Sequence, residues 1–141
     1  SHEVNSVVRN LARNIVRGDM DEALKLLQAF LSTVPYCDNT DYEGHYQQML
    51  YVIFSLLGIY TDVEVHTLKG RVDMVLRTRT TLYLVELKLN QNAEIAMKQI
   101  DLQQYADRFA LCGLPVVKVA INFSAETRTI ADWVISRGTY A

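Results

Sequence analysis

Two stretches decide the fold: GRVDMV at residues 70–75 and LVELKLN at residues 84–90. In both, charged residues alternate with apolar ones, the period of a β-strand whose two faces meet different surroundings. Glu86 and Lys88 project to one side of the second stretch, and Val85, Leu87 and Leu89 to the other. In the first, Val72, Met74 and Leu76 alternate with Asp73, Val75 and Arg77. The intervening Arg77–Thr81 is polar and short enough for a hairpin turn. A turn centred near residues 78–80 brings Asp73 opposite the Glu86 region. Two carboxylates and one ammonium then share one patch of one sheet face.

Outward from this pair the pattern continues. Val63, Val65 and Thr67 alternate with polar residues, and Lys69-Gly70 is a turn signal, so a third strand precedes the other two in an antiparallel meander. Further upstream the period is helical. Val4, Val7, Val8, Leu11 and Ile15 mark a first amphipathic helix ending near Gly18. Asp19, three residues before Glu22, is a start signal for a second, with Ala23, Leu24, Leu27, Phe30 and Leu31 on its inner face and Pro35 as its stop. The pair reads as a helical hairpin over residues 1–35. The segment Thr40–Tyr60 reads as the longest helix, with Tyr46, Met49, Leu50, Ile53, Leu57 and Tyr60 as its stripe and a last turn loosened by Gly58.

Downstream, Asn90 or Asn92 caps a helix whose inner face is Ala93, Ala96, Met97 and Ile100 and which runs to about Phe109. After a Gly113-Leu114-Pro115 loop, Val116–Phe123 is the near-continuous apolar run of a strand covered on both faces. Thr129–Ser136 adds one more strand, with Trp133 packed on the layer. The expected fold is α/β: a mixed sheet sandwiched by helices, whose crossover from Leu82 to Phe123 is parallel and right-handed.

The chain has 141 residues, the size of a single domain (1–141), and half of them are apolar. A formal net charge of −2 excludes a uniformly basic nucleic-acid glove, so any such contact needs a local basic patch. Lys69, Arg71, Arg77, Arg79 and Lys98 cluster around the carboxylates in sequence and are the candidates for phosphate contacts. Cys37 and Cys112 have neither zinc-ligand nor disulfide-framework spacing and read as free thiols in a reducing cytoplasm. No apolar run reaches the roughly 18 residues of a membrane span. Ser1-His2 reads as a cloning remnant, so the natural protein is expected to extend further N-terminally.

Two carboxylates, joined by a backbone carbonyl and waters, suit a hard divalent cation such as Mg²⁺. Such an ion acidifies a bound water and neutralises charge on a phosphodiester transition state. Lys88 is placed to hold the attacking water or a phosphate oxygen, and its charge offsets the carboxylate pair.

An Asp followed a dozen residues later by Glu-x-Lys on an adjacent strand resembles the PD-(D/E)XK nuclease superfamily. The resemblance runs from about Tyr42 to Trp133 through YEGHY, GRVDMV, VELKLN and AMKQIDLQQYADRF. It is strongest toward the nuclease-like C-terminal domain of uncharacterised bacterial AAA-ATPase-like proteins. It implies a restriction-endonuclease-like core of helix, three-strand antiparallel meander, helix and parallel strand. It also implies that Asp73, Glu86 and the Leu87 carbonyl bind Mg²⁺, with Mn²⁺ as a substitute, and that Lys88 is the catalytic lysine. Glu43 becomes an additional acidic residue, Gln99 an auxiliary polar one, and Tyr105 a residue lining the cleft. One departure is Val72, which stands where the superfamily name has proline. The implied partners are nucleic acid, DNA before RNA, and an N-terminal ATPase-like domain of the same polypeptide.

Each residue has a plainer role to weigh. Glu86 and Lys88 could be a solvated strand face, though the apolar flanks suit a central strand, where charge is unusual. Asp73 could simply pair with Arg71, although a mid-strand place speaks against it. Thr40-Asp41-Tyr42-Glu43 is a capping-box pattern, so Glu43 is equally a helix cap or a site residue. Gln99 borders a buried face and could equally be exposed. His45 and His66 have no zinc-site spacing, and most of the eight tyrosines read as core and rim. Three functions compete: a Mg²⁺-dependent nuclease, a catalytically silent module that binds nucleic acid or docks to an ATPase-like partner, and a homo-oligomerisation domain packing through residues 3–34.

Overall fold

The computed structural model describes residues 2–35, 42–68, 70–89 and 112–138. Three α-helices, α1 (His2–Val16), α2 (Met20–Thr33) and α3 (Tyr42–Leu56), precede five strands. These are β1 (Asp62–Leu68), β2 (Arg71–Arg77), β3 (Leu82–Leu89), β4 (Val116–Ser124) and β5 (Thr129–Gly138). The strands form one sheet in the order β1-β2-β3-β4-β5. All neighbours are antiparallel except β3 and β4, which run parallel as expected of a crossover. The helix expected between them, from Ala93 to Phe109, lies outside the described residues.

The two faces of the sheet differ in chemistry. Val72, Met74 and Leu76 of β2, Val85, Leu87 and Leu89 of β3, and Val117, Val119, Ile121 and Phe123 of β4 join one core with the buried sides of all three helices. From the helices come Val8, Leu11, Ala12 and Ile15, then Met20, Ala23, Leu24, Leu27 and Leu31, then Tyr46, Leu50, Ile53 and Phe54. Truncating any one of these buried leucines to alanine costs about 2–5 kcal/mol, so this face dominates stability. The opposite face carries a smaller cluster of Val75, Leu82 and Leu84, with Leu114 and Val116 against it, and the charged residues.

The helical pattern is followed closely, with two departures. The backbone tightens into a 3₁₀ turn at Leu57–Ile59, around the glycine expected to loosen it. That change of pitch carries Tyr60 out of the buried stripe, and it is 46% exposed. The α2 start is where Asp19 and Glu22 place it, but Asp19 makes no side-chain cap bond. Glu22 instead receives a hydrogen bond from Lys25 on the solvated side.

Polar bonds seat the helices at both sheet edges. On the β5 side, Gln28 Nε2 donates to the Ile130 carbonyl at 2.7 Å and Trp133 Nε1 donates to Asp21 at 2.9 Å. On the β1–β2 side, Gln47 Nε2 of α3 donates to the Arg71 carbonyl at 3.0 Å and also to that of Leu68. Gln47 thereby ties α3 to the end of the β1–β2 hairpin, beside the charged patch. No helix among the described residues is long and apolar enough to cross a membrane.

Candidate metal centre

The β2–β3 hairpin sets the geometry. Thr78 closes it: its backbone N–H donates to the Thr81 carbonyl at 2.9 Å, and its hydroxyl accepts from the N–H groups of Thr80 and Thr81. Arg77 therefore pairs with Leu82, and the register runs back to Asp73 opposite Glu86 and Arg71 opposite Lys88. Partners directly opposite in a sheet point to the same face. β1 places His66 beside Asp73, and β4 places Ala120 beside Glu86 and Asn122 beside Lys88. The row His66, Asp73, Glu86 and the row Arg71, Lys88, Asn122 thus lie side by side on the face away from the three helices.

Glu86 sits in the central strand and is 4% exposed. Apart from Lys88, every β3 residue is buried. The Arg71 guanidinium bridges the two carboxylates, with Nη2 3.1 Å from Asp73 Oδ2 and Nη1 3.4 Å from Glu86 Oε1. Each carboxylate keeps its other oxygen, Asp73 Oδ1 and Glu86 Oε2, buried and without a hydrogen-bond partner among the described residues. The Nε of Arg71 is likewise buried without an acceptor.

Burial pushes the Asp73 carboxyl above its ordinary range, against the attraction of Arg71, His66 and Lys88. Burial also raises Glu86, with the Asp73 charge adding to it and Lys88 and Arg71 opposing. Both carboxyls are therefore short of compensating positive charge, the electrostatic condition under which a further cation is welcome. Buried carboxylate oxygens with no protein donor are the hard anionic donors that Mg²⁺ and Mn²⁺ take. No group of three or more His, Cys, Asp or Glu side chains that could hold a metal occurs among the described residues. The described residues bring two carboxylates, Asp73 and Glu86, together on this face.

Of the residues singled out in the sequence, Asp73, Glu86 and Lys88 come together, and Leu87 supplies the backbone between the last two. The pairing of Asp73 with Arg71, the plainer alternative to a site role that the mid-strand place of Asp73 spoke against, is present. Two residues apart on one strand share a face, so the ion pair and the shared patch coexist. Of the basic candidates, Arg71 is in the patch, whereas Arg77 is bound to Asp62 at 2.7 Å, roughly 13 Å along β2 from Asp73. Arg79 lies beyond it in the hairpin turn, and Lys69 and Lys98 fall outside the described residues. Glu43 stands on α3 one turn before Gln47, but its side chain, like Thr40 and Asp41 as a whole, lies outside the described residues, as do Gln99 and Tyr105. Sequence reasoning passed over Gln47 and Asn122. Only the register of four strands reveals the second, and a helix-to-hairpin contact the first. His66, dismissed as a zinc ligand, pairs with Glu64 at 2.9 Å, and its charge acts on Asp73.

A mixed sheet with the described helices on one face and an Asp, Glu-x-Lys patch on the other is compatible with a PD-(D/E)XK-like fold. The chain belongs to the PD-(D/E)XK nuclease superfamily, whose family profile matches residues 41–133, well over half of its length. It is also similar to an uncharacterised protein in the vnfD 5′ region of Azotobacter chroococcum mcd 1, with 29% identity over 128 residues. That similarity covers 86% of this chain but 25% of the relative, so the chain spans about a quarter of the relative's length. No solved structure matches it.

Proposed function

We propose that this domain is a divalent-metal-dependent nuclease that hydrolyses phosphodiester bonds, in DNA rather than RNA. The observation that carries the reading is the opposed pair of half-buried Asp73 and buried Glu86, each with one buried oxygen that lacks a partner among the described residues. Asp73 and Glu86 hold the ion, Mg²⁺ or Mn²⁺ in its place, with the Leu87 carbonyl as a further oxygen. When bound, it supplies a more acidic water and positive charge for the pentavalent phosphate. Lys88, beside Glu86 on the same face, orients the attacking water and shields the phosphate charge. Glu43 completes the acidic set from α3, and Gln99 and Tyr105 border the substrate. The domain acts in the cytoplasm as the C-terminal part of a longer polypeptide, with an ATPase-like region N-terminal to it and residues 1–35 packed on its core. That the match covers 25% of the Azotobacter relative supports the longer polypeptide.

The test is a calorimetric titration of Mn²⁺ into the wild type and Asp73→Ala, together with cleavage of a DNA duplex in Mg²⁺. Saturable binding lost in the variant, with metal-dependent cleavage by the wild type, is the expected result. A folded wild type that binds no Mn²⁺ defeats the proposal.

A second reading is a catalytically silent module that binds nucleic acid or docks on an ATPase-like partner. The Arg71 guanidinium across the carboxylates and the net charge of −2 favour it. A stable, folded domain that binds neither Mg²⁺ nor Mn²⁺ would select it.

A further inference from the structure

Arg71 is the residue in the patch that neither the carboxylates' chemistry nor the lysine's explains. Its guanidinium already satisfies one oxygen of each carboxylate, at 3.1 and 3.4 Å. A divalent cation using Asp73 and Glu86 comes within a few ångströms of that fixed positive charge. At such a separation, beside partly desolvated carboxylates, their repulsion exceeds thermal energy several times over. The ion and the guanidinium are therefore rivals for the same two carboxylates.

Arg71 is built to yield. Its side chain is 30% exposed, against 6% for Glu86, so it has solvent to move into. Its Nε is buried without an acceptor among the described residues, so within them the bridging pose leaves one donor unused. Lys88 lies directly opposite on β3. A guanidinium released from the carboxylates stays in the row of Lys88, and two adjacent cations then face the place where an anion meets the site. A planar fork of donors suits a phosphate oxygen pair.

We infer that Arg71 is an exchangeable counter-ion: it holds Asp73 and Glu86 together until a divalent cation replaces it, and then turns to a phosphate of the nucleic acid. This rests on the proposed metal-dependent reading of the same site. Because one side chain is released by the ion and engaged by the phosphate, ion and nucleic acid bind cooperatively, and the coupling runs equally in both directions.

The experiment uses the intact chain with Arg71→Met, which keeps length and removes charge, and Arg71→Gln, which keeps a donor for Asp73. Mn²⁺ is titrated calorimetrically with and without a short DNA duplex, and duplex binding is read by anisotropy in Ca²⁺. Circular dichroism identifies whichever variant is folded. The expected result is Mn²⁺ affinity higher on the order of tenfold in the variants, duplex affinity lower by a similar factor, and no tightening of Mn²⁺ by the duplex. Mn²⁺ affinity equal to or below wild type in a folded variant overturns the exchange. If wild type binds Mn²⁺ through Asp73 and the Arg71 variants bind no tighter, the exchange fails while the metal site stands. If no protein binds Mn²⁺, both fall together.

Discussion

Asp73 and Glu86 are direct cross-strand partners on one face of the sheet, with Arg71 bridging one oxygen of each. Like charges opposite one another destabilise a strand pair, and taking carboxylates out of water adds to the cost. An apolar pair at these positions would extend the Val75, Leu82 and Leu84 cluster on the same face. The fold instead keeps two carboxylates whose pKa values are raised mainly by burial. A sheet face that carries such a cost suits a ligand better than a scaffold.

The cost is measurable as a pH dependence. Both carboxyls have higher pKa values folded than unfolded, so the folded state binds the protons more tightly. Their contribution to stability is fully present below the unfolded values, near pH 4, and is lost as pH rises through the folded ones. In EDTA, Glu86→Gln is expected to flatten that loss and to melt a few °C above wild type at pH 7.5. Its amide donates to Asp73 while its oxygen still accepts from Arg71. The same variant loses Mn²⁺ binding. Thermal melts at pH 5 and pH 7.5 decide the matter, and a lower melting temperature for the variant at pH 7.5 contradicts it.

Lys88 separates chemistry from folding. It is half-buried in β3, and its charge acts on both carboxylates without a direct ion pair to either among the described residues. Lys88→Met keeps the apolar stem and removes the charge. Cleavage is expected to fall by about 10²–10⁴-fold, with the circular dichroism spectrum and Mn²⁺ binding retained. Undiminished cleavage would remove Lys88 from the mechanism.

The hairpin was readable in the sequence because two local signals agree: alternation within each strand and a polar turn too short for any other register. Arg71 stands two residues from Asp73, and the same alternation already puts them on one face. What alternation cannot show is that a single guanidinium reaches two carboxylates, since that depends on the distance between strands. Tyr60 was misplaced because an ideal 3.6-residue period was carried through a 3₁₀ turn. Asp19 and Glu22 mark the start of α2, but Asp19 makes no side-chain cap bond and Glu22 accepts from Lys25 instead. Gln47 could not be foreseen, because its partners, the carbonyls of Leu68 and Arg71, are more than twenty residues away. Glu43, Gln99 and Tyr105 remain expectations from family resemblance.

Gln47 links the core to the patch. Its amide donates to two carbonyls at the end of the β1–β2 hairpin, one belonging to Arg71. Gln47→Leu removes both bonds and is expected to cost about 1–3 kcal/mol, at 0.5–1.5 for each. The released hairpin end also loosens the backbone that aims Arg71 and Asp73, so Mn²⁺ affinity should fall with stability. Urea denaturation and a Mn²⁺ titration measure the two effects. Unchanged values in both would reduce Gln47 to a surface contact.

Thr78 closes the turn at the far end of the same hairpin. It is 7% exposed, and its hydroxyl accepts from the N–H groups of Thr80 and Thr81, at 3.3 and 3.1 Å. Thr78→Val keeps the shape and leaves those donors unmet, so it should cost about 1–3 kcal/mol. A slip of one residue would turn Glu86 and Lys88 to the opposite face, into the main core, which burial forbids. The variant should therefore weaken the hairpin without changing its pairing. Amide exchange is expected to speed up at Thr80 and Thr81 and to remain slow at Val85 and Leu87. Wild-type Mn²⁺ affinity should survive at temperatures where the protein is folded. Loss of Mn²⁺ binding in a fully folded Thr78→Val protein would mean that the turn, and not the core-facing side chains, holds Asp73 opposite Glu86.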